Sequence, residues 1–87
     1  PMLPTEVNAY LAQAYFNKAI TAYQDDKDYK KSFEYTEQTL YFIPEDTSII
    51  MNAGVFFAPA AGETDKSIEY LNKYIAKGGK NQDAYLI

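Results

Sequence analysis

The chain has 87 residues, a net charge of −4 and a 47% hydrophobic composition that includes nine Tyr and five Phe, enough apolar area for one packed domain that hides only about 60–65% of its unfolded surface. All eight basic residues are Lys, and there is no Cys, His or Trp, which removes a thiol nucleophile, a disulfide, a zinc site of the usual nitrogen and sulfur ligands and an imidazole base. Without Arg there is no bidentate phosphate fork, and the acidic balance repels polyanions, so neither nucleic acid nor an anionic membrane is expected as a partner.

In chain order, apolar residues fall at helical spacing in four stretches, which predicts helices near 5–25, 28–43, 46–58 and 64–77 and a fifth opening near 81. The first runs from Pro4-Thr5-Glu6 and carries Tyr10, Leu11, Tyr15, Phe16, Ala19, Ile20 and Tyr23. Asp25-Asp26-Lys27-Asp28 reads as a turn with Asp28 as the next N-cap, because the glycine and distal Glu of a calcium loop are missing. The second stripe is Ser32, Phe33, Thr36, Thr39, Leu40 and Ile43, closed by Pro44, which cannot continue a helix. Glu45-Asp46-Thr47 offers caps to the third, with Ile49, Ile50, Ala53, Gly54 and Phe57, and Pro59 is expected to end it about a turn early. Thr64 is the expected cap of the fourth, whose stripe is Ser67, Ile68, Leu71, Tyr74 and Ile75, and Gly78-Gly79 reads as its C-terminal stop. Leu40 and Ile75 are expected to lie between helices.

A period is visible. Lys31-Ser32-Phe33-Glu34-Tyr35 recurs as Lys66-Ser67-Ile68-Glu69-Tyr70 at an offset of 35, and Tyr15, Phe16, Ala19, Ile20 and Tyr23 match Ile49, Ile50, Ala53, Gly54 and Phe57 at an offset of 34. These residues resemble the tetratricopeptide repeat family. Residues 13–46 resemble one unit, with Phe16, Ala19-Ile20, Tyr23, Tyr29, Ser32 and Pro44 at its aromatic, small and proline positions; residues 47–80 resemble a second, and 81–87 the start of a third, with Tyr85 where Phe16 and Ile50 sit. The resemblance implies an all-α fold over 1–87, antiparallel helix-turn-helix repeats stacked as a right-handed superhelix.

The chemistry-bearing residues have plainer readings. Ser32 and Ser67 lack a base and are read as small residues where helices approach closely. Glu34 and Glu37 are read as surface carboxylates on a polar helix face. No catalytic residue, metal site or cofactor is expected.

What the resemblance implies instead is a concave face, formed by the first helix of each unit, that holds a peptide or helix of a partner protein. Carried over by position, that face presents Ala14, Asn17, Thr21 and Gln24, then Ser48, Met51, Asn52 and Val55, with the binding residues expected at Asn17, Thr21, Gln24, Met51, Asn52 and Val55. A clamp for a C-terminal carboxylate, as in chaperone-binding members, is not expected, because Asn17 stands where Lys is wanted and Thr21 where Asn is wanted. The alternative is a structural segment of a longer solenoid or assembly.

No apolar run reaches the roughly 20 residues of a membrane span, and no signal pattern opens the chain, which leaves cytosol and periplasm equally open. The sequence stops in an apolar pattern, Ala84-Tyr85-Leu86-Ile87, so an excerpt of a longer array is expected, with this end either folding back on the helix of 64–77 or meeting a second chain.

Overall fold

A computed structural model describes residues 4–78. Among them every regular element is helical: α1 (Pro4–Thr21), α2 (Tyr29–Phe42), α3 (Thr47–Asn52), α4 (Ala58–Ala60) and α5 (Thr64–Ala76), with wide π-turns at Ala22–Asp26 and Ala53–Phe57. α1 runs straight into its π-turn, and α3, the second π-turn and α4 follow without a break, so the described chain makes four helical rods. The all-α expectation holds, while the expected third unit at 81–87 lies outside the described residues.

The rods begin where side chains can satisfy the first free amides. The Asp28 carboxylate accepts from the Lys31 N–H at 3.1 Å and Asp46 from the Ile49 N–H at 3.0 Å. Thr64 is not the cap expected of it: Glu63 holds that position without a side-chain bond, and Thr64 is the first residue of α5. Glu63 is the residue 35 places after Asp28, so the cap keeps the repeat's register and loses its short side chain. Lys27, Gly62 and Gly78 end their rods in the left-handed region, at φ 55°, 77° and 80°. Lys27 does so in spite of its Cβ.

Pro59 does not end its helix early; the rod continues through it to Ala60. The wide turn before it explains why. The Ala58 N–H donates to Ala53 O, five residues back, so the hydrogen-bond ladder has already slipped by one when proline, with no N–H, is reached. Gly54 O thereby loses its donor at i+4 to the slip and its donor at i+5 to the proline. The Ser67 hydroxyl supplies the missing bond, at 2.6 Å.

That bond also corrects the register. The offset of 34 pairs Gly54 with Ile20, but Ser32 Oγ donates to Ala19 O at 2.9 Å, so Gly54 is the counterpart of Ala19, at the same offset of 35 that relates the serines. Both serines are buried, at close helix contacts as expected. Gly54 is required by this approach: a Cβ there would stand 2.9 Å from Leu71 Cγ and 3.2 Å from its backbone nitrogen.

α1 and α2 form an antiparallel hairpin, since Tyr15 stacks on Phe42 with centroids 5.8 Å apart while Tyr23 meets Tyr29 edge-on at 5.2 Å. The second hairpin, α3 through α5, leans on the first through aromatic edges. Phe57 receives Phe16 at 5.9 Å and Tyr23 at 5.2 Å, and Phe33 meets Tyr70 at 6.3 Å. Phe33, Leu40, Ile50, Phe57 and Tyr74 are buried in this shared core, each such side chain contributing about 1.5–3 kcal/mol. Thr36 and Thr39 are buried too, their hydroxyls donating to the carbonyls of Ser32 and Tyr35, both at 2.9 Å.

One core assignment is reversed. Leu40 is buried as expected, but Ile75 is 67% exposed and Ile68 54%; α5 instead turns Ser67 and Tyr74 inward. The elements that cover α5 lie on its other sides.

Candidate partner-binding cleft

A hollow of about 410 Å³ opens between α1 and the start of α3, bounded by Ala9, Ala12, Gln13, Phe16, Asn17, Ile20, Thr39, Ile43, Asp46, Ser48 and Ile49. Its origin is local. α1 presents Ala9, Ala12 and Gln13, then Phe16, Asn17 and Ile20 at helical spacing, and small alanines on that face leave room that a larger residue would fill. Pro44 turns the chain after α2, and the cap Asp46 then aims α3 so that Ser48 and Ile49 form the far wall.

The floor is apolar, with Ala12, Phe16 and Ile49 buried, and the rim is polar. Gln13 Nε2 donates to Asn17 Oδ1 at 2.9 Å, which leaves the Asn17 amide hydrogens and the Gln13 carbonyl to pair with a backbone C=O and N–H. Asp46 and Thr39 are committed, the first to its cap and the second to Tyr35 O. This site can seat an apolar side chain and bind the peptide links on either side of it.

The sequence-expected residues are divided by the fold. Asn17 is exposed and lines the cleft. Thr21 is exposed and lines a second hollow, of about 410 Å³, which it shares with Asn17, Lys18, Lys31 and Tyr35. Gln24 is exposed farther along the rod, and Val55 is 37% exposed. Met51 and Asn52, expected on an open groove, are 5% and 1% exposed. Ile49, Ile50, Met51 and Asn52 are buried in succession, and four successive residues span a full helical turn, so α3 is covered all round there. Among the described residues Asn52 Oδ1 has no hydrogen-bond partner, a cost to the fold.

Gln13, Ile20 and Ile43 were missed. The signal was present for two of them: Gln13 and Ile20 lie one turn to either side of Asn17 on one helix face. For Ile43 there was none, since the wall it forms depends on the direction taken after Pro44.

A charged cluster lies between α2 and α5. Tyr70 OH donates to Glu37 Oε2 at 3.0 Å, and Lys66 Nζ stands 3.6 Å from the same oxygen and 3.8 Å from Glu69 Oε2. Burial first, then the Glu37 charge and its hydrogen bond, push the Tyr70 hydroxyl well above the usual phenol range. Glu34 is at the surface as expected, but Glu37 is half-buried and committed to Tyr70. Lys77, just past α5, pairs with Glu45 in the turn between α2 and α3. Among the described residues no group of three or more acidic side chains is placed to hold a metal ion, and no helix is long and apolar enough to cross a membrane.

Compared with protein-family models, with curated proteins and with solved structures, the chain has no match in any of the three. Its reading therefore rests on its own residues.

Proposed function

We propose that the chain is a protein-interaction module of the tetratricopeptide type, not an enzyme, and that it holds an extended peptide or helix of a partner protein in the cleft between α1 and α3. The observation that carries this reading is the cleft itself: an apolar floor of Ala12, Phe16 and Ile49 under a rim of Gln13, Asn17 and Ser48. A partner inserts an apolar side chain and is oriented by amide pairing, the division of labour common to small-ligand and peptide sites. The repeat-type stacking, as in a right-handed superhelix, is supported by four pairs at one offset: Ala19 with Gly54, Lys27 with Gly62, Asp28 with Glu63 and Ser32 with Ser67. The lack of His and Cys leaves Ser32 and Ser67 without an imidazole base, and both hydroxyls are bonded to backbone carbonyls.

Selection from a displayed library of random peptides tests the reading. Peptides with a central apolar side chain are expected to be enriched, and the exposed double variant Gln13→Ala/Asn17→Ala is expected to bind them about tenfold more weakly, at about 0.5–1.5 kcal/mol per lost hydrogen bond. Selected peptides that bind this variant and the parent chain equally would place the site elsewhere.

A further inference from the structure

Three apolar residues stand in solvent on one side of the second hairpin: Val55 is 37% exposed, Ile68 54% and Ile75 67%. Each lies 35 residues after a residue of the first hairpin that is packed into the core, namely Ile20, Phe33 and Leu40. The first hairpin's set is covered by the second hairpin. The second hairpin's set is likewise apolar, stands at the equivalent repeat positions, and is left exposed among the described residues.

The complementary face is on the molecule itself. Tyr70 and Lys66 are what α5 turns toward Phe33 and Glu37, and their counterparts 35 residues earlier are Tyr35 and Lys31. Those two lie two positions from Phe33, about 200° round the helix from it, and so face away from the second hairpin. There they line the hollow of about 410 Å³ with Lys18, whose Nζ sits 5.7 Å from the Tyr35 ring centre.

We propose that a second copy of the chain docks end to end, with Ile68, Asn72 and Ile75 of one molecule against Tyr35 and Lys31 of the next, continuing the junction already present between the hairpins. Ile68 takes the place of Phe33 on the tyrosine ring. Asn72 takes the place of Glu37, accepting hydrogen bonds from the tyrosine hydroxyl and the lysine. With an amide in place of a carboxylate the contact lacks the ion pair of the internal junction, so it is weaker than that junction and has no ion-pair attraction for salt to screen. Such a head-to-tail contact is heterologous and builds open chains of copies. Of the residues lining the two hollows only Asn17 is shared, and none of the residues named in this contact lines the cleft, so the two are tested separately.

The chain has no cysteine, so introduced thiols report cleanly. Gln38 and Ala76 are exposed and flank the contact, since their counterparts Lys73 and Tyr41 line one hollow at the internal junction. Gln38→Cys and Ala76→Cys chains, mixed and treated with a short bismaleimide, are expected to cross-link to each other, and neither to itself. Adding Ile75→Lys to the Ala76→Cys chain is expected to cut the product about tenfold, the effect of losing one modest apolar contact. Ile75 is exposed, and circular dichroism checks that the variant keeps its helices. Ala76→Cys cross-linking to itself would mean symmetric pairing of α5 helices and would overturn the proposal. So would a mixed product no greater than that of an exposed control pair, Thr47→Cys with Ala76→Cys, the result if the face is covered within the chain or stays bare.

Discussion

In the first hairpin Phe33 and Leu40 are buried, and Ser32 bonds a carbonyl, that of Ala19, whose i+4 and i+5 residues, Tyr23 and Gln24, both carry an N–H. In the second, the counterparts Ile68 and Ile75 are exposed, and Ser67 bonds Gly54 O, which has lost both helical donors. Equivalent positions thus have unequal energetic roles. Both hairpins share the buried apolar core; at these equivalent positions the first gains apolar cover from its neighbour, while the second gains one close polar contact made within itself.

The largest expected effect breaks the first half of that contrast. Phe33→Ala is expected to cost about 3–5 kcal/mol, as for a buried aromatic, while Ile68→Ala stays within about 0.5 kcal/mol, as for a surface change. Urea unfolding of the two variants compares them; equal losses would mean that the outer side of α5 is covered after all.

Gly54→Ala comes next. Alanine favours a helix by about 1 kcal/mol over glycine, yet a methyl at 2.9 Å from Leu71 overpacks the contact at a cost of about 1–3 kcal/mol. A net loss of stability is expected, whereas a gain would show that the rods can separate freely.

The serines sharpen the contrast. Ser67→Ala leaves Gly54 O buried without a donor and is expected to cost about 1–3 kcal/mol, against about 0.5–1.5 kcal/mol for Ser32→Ala, where backbone donors remain. Thermal unfolding orders them, and the reverse order would deny the slipped ladder at Pro59.

The smallest effect is in pH. Tyr70 is held protonated in the fold beyond the range in which it ionises when unfolded, so its contribution is complete below roughly pH 10 and is lost as pH rises through the folded value. Between pH 9 and 11, both approximate bounds of phenol titration, the parent is expected to lose stability more steeply than Tyr70→Phe. Parallel curves would remove the Glu37 contact from the account.

Much of the fold was legible because local signals agreed: helical spacing, Asp28 and Asp46 as caps, Gly78 as a stop, and the serine pair at an offset of 35. What failed depended on neighbours. The pattern that names Leu40 as core names Ile75 as well, and only the presence of a covering hairpin distinguishes them. Pro59 looked like a terminator because a slipped hydrogen-bond ladder leaves no local trace. The binding face was only partly legible. Asn17 was found by helix geometry, but Met51 and Asn52 were assigned by a likeness that assumes α3 is open on one side, and here it is packed all round. Gln13 was readable as a neighbour of Asn17, and Ser48 stood on the expected face and lines the cleft, whereas the wall formed by Ile43 depends on how the chain turns after Pro44.

The most direct measurement of the functional claim is amide chemical-shift mapping of a selected peptide on the isotope-labelled chain. The cleft account predicts shifts at Gln13, Asn17, Ile20, Ser48 and Ile49, with Val55, Ile68 and Ile75 unmoved. Shifts gathered at Ile68 and Ile75, with Asn17 and Ser48 silent, would contradict it.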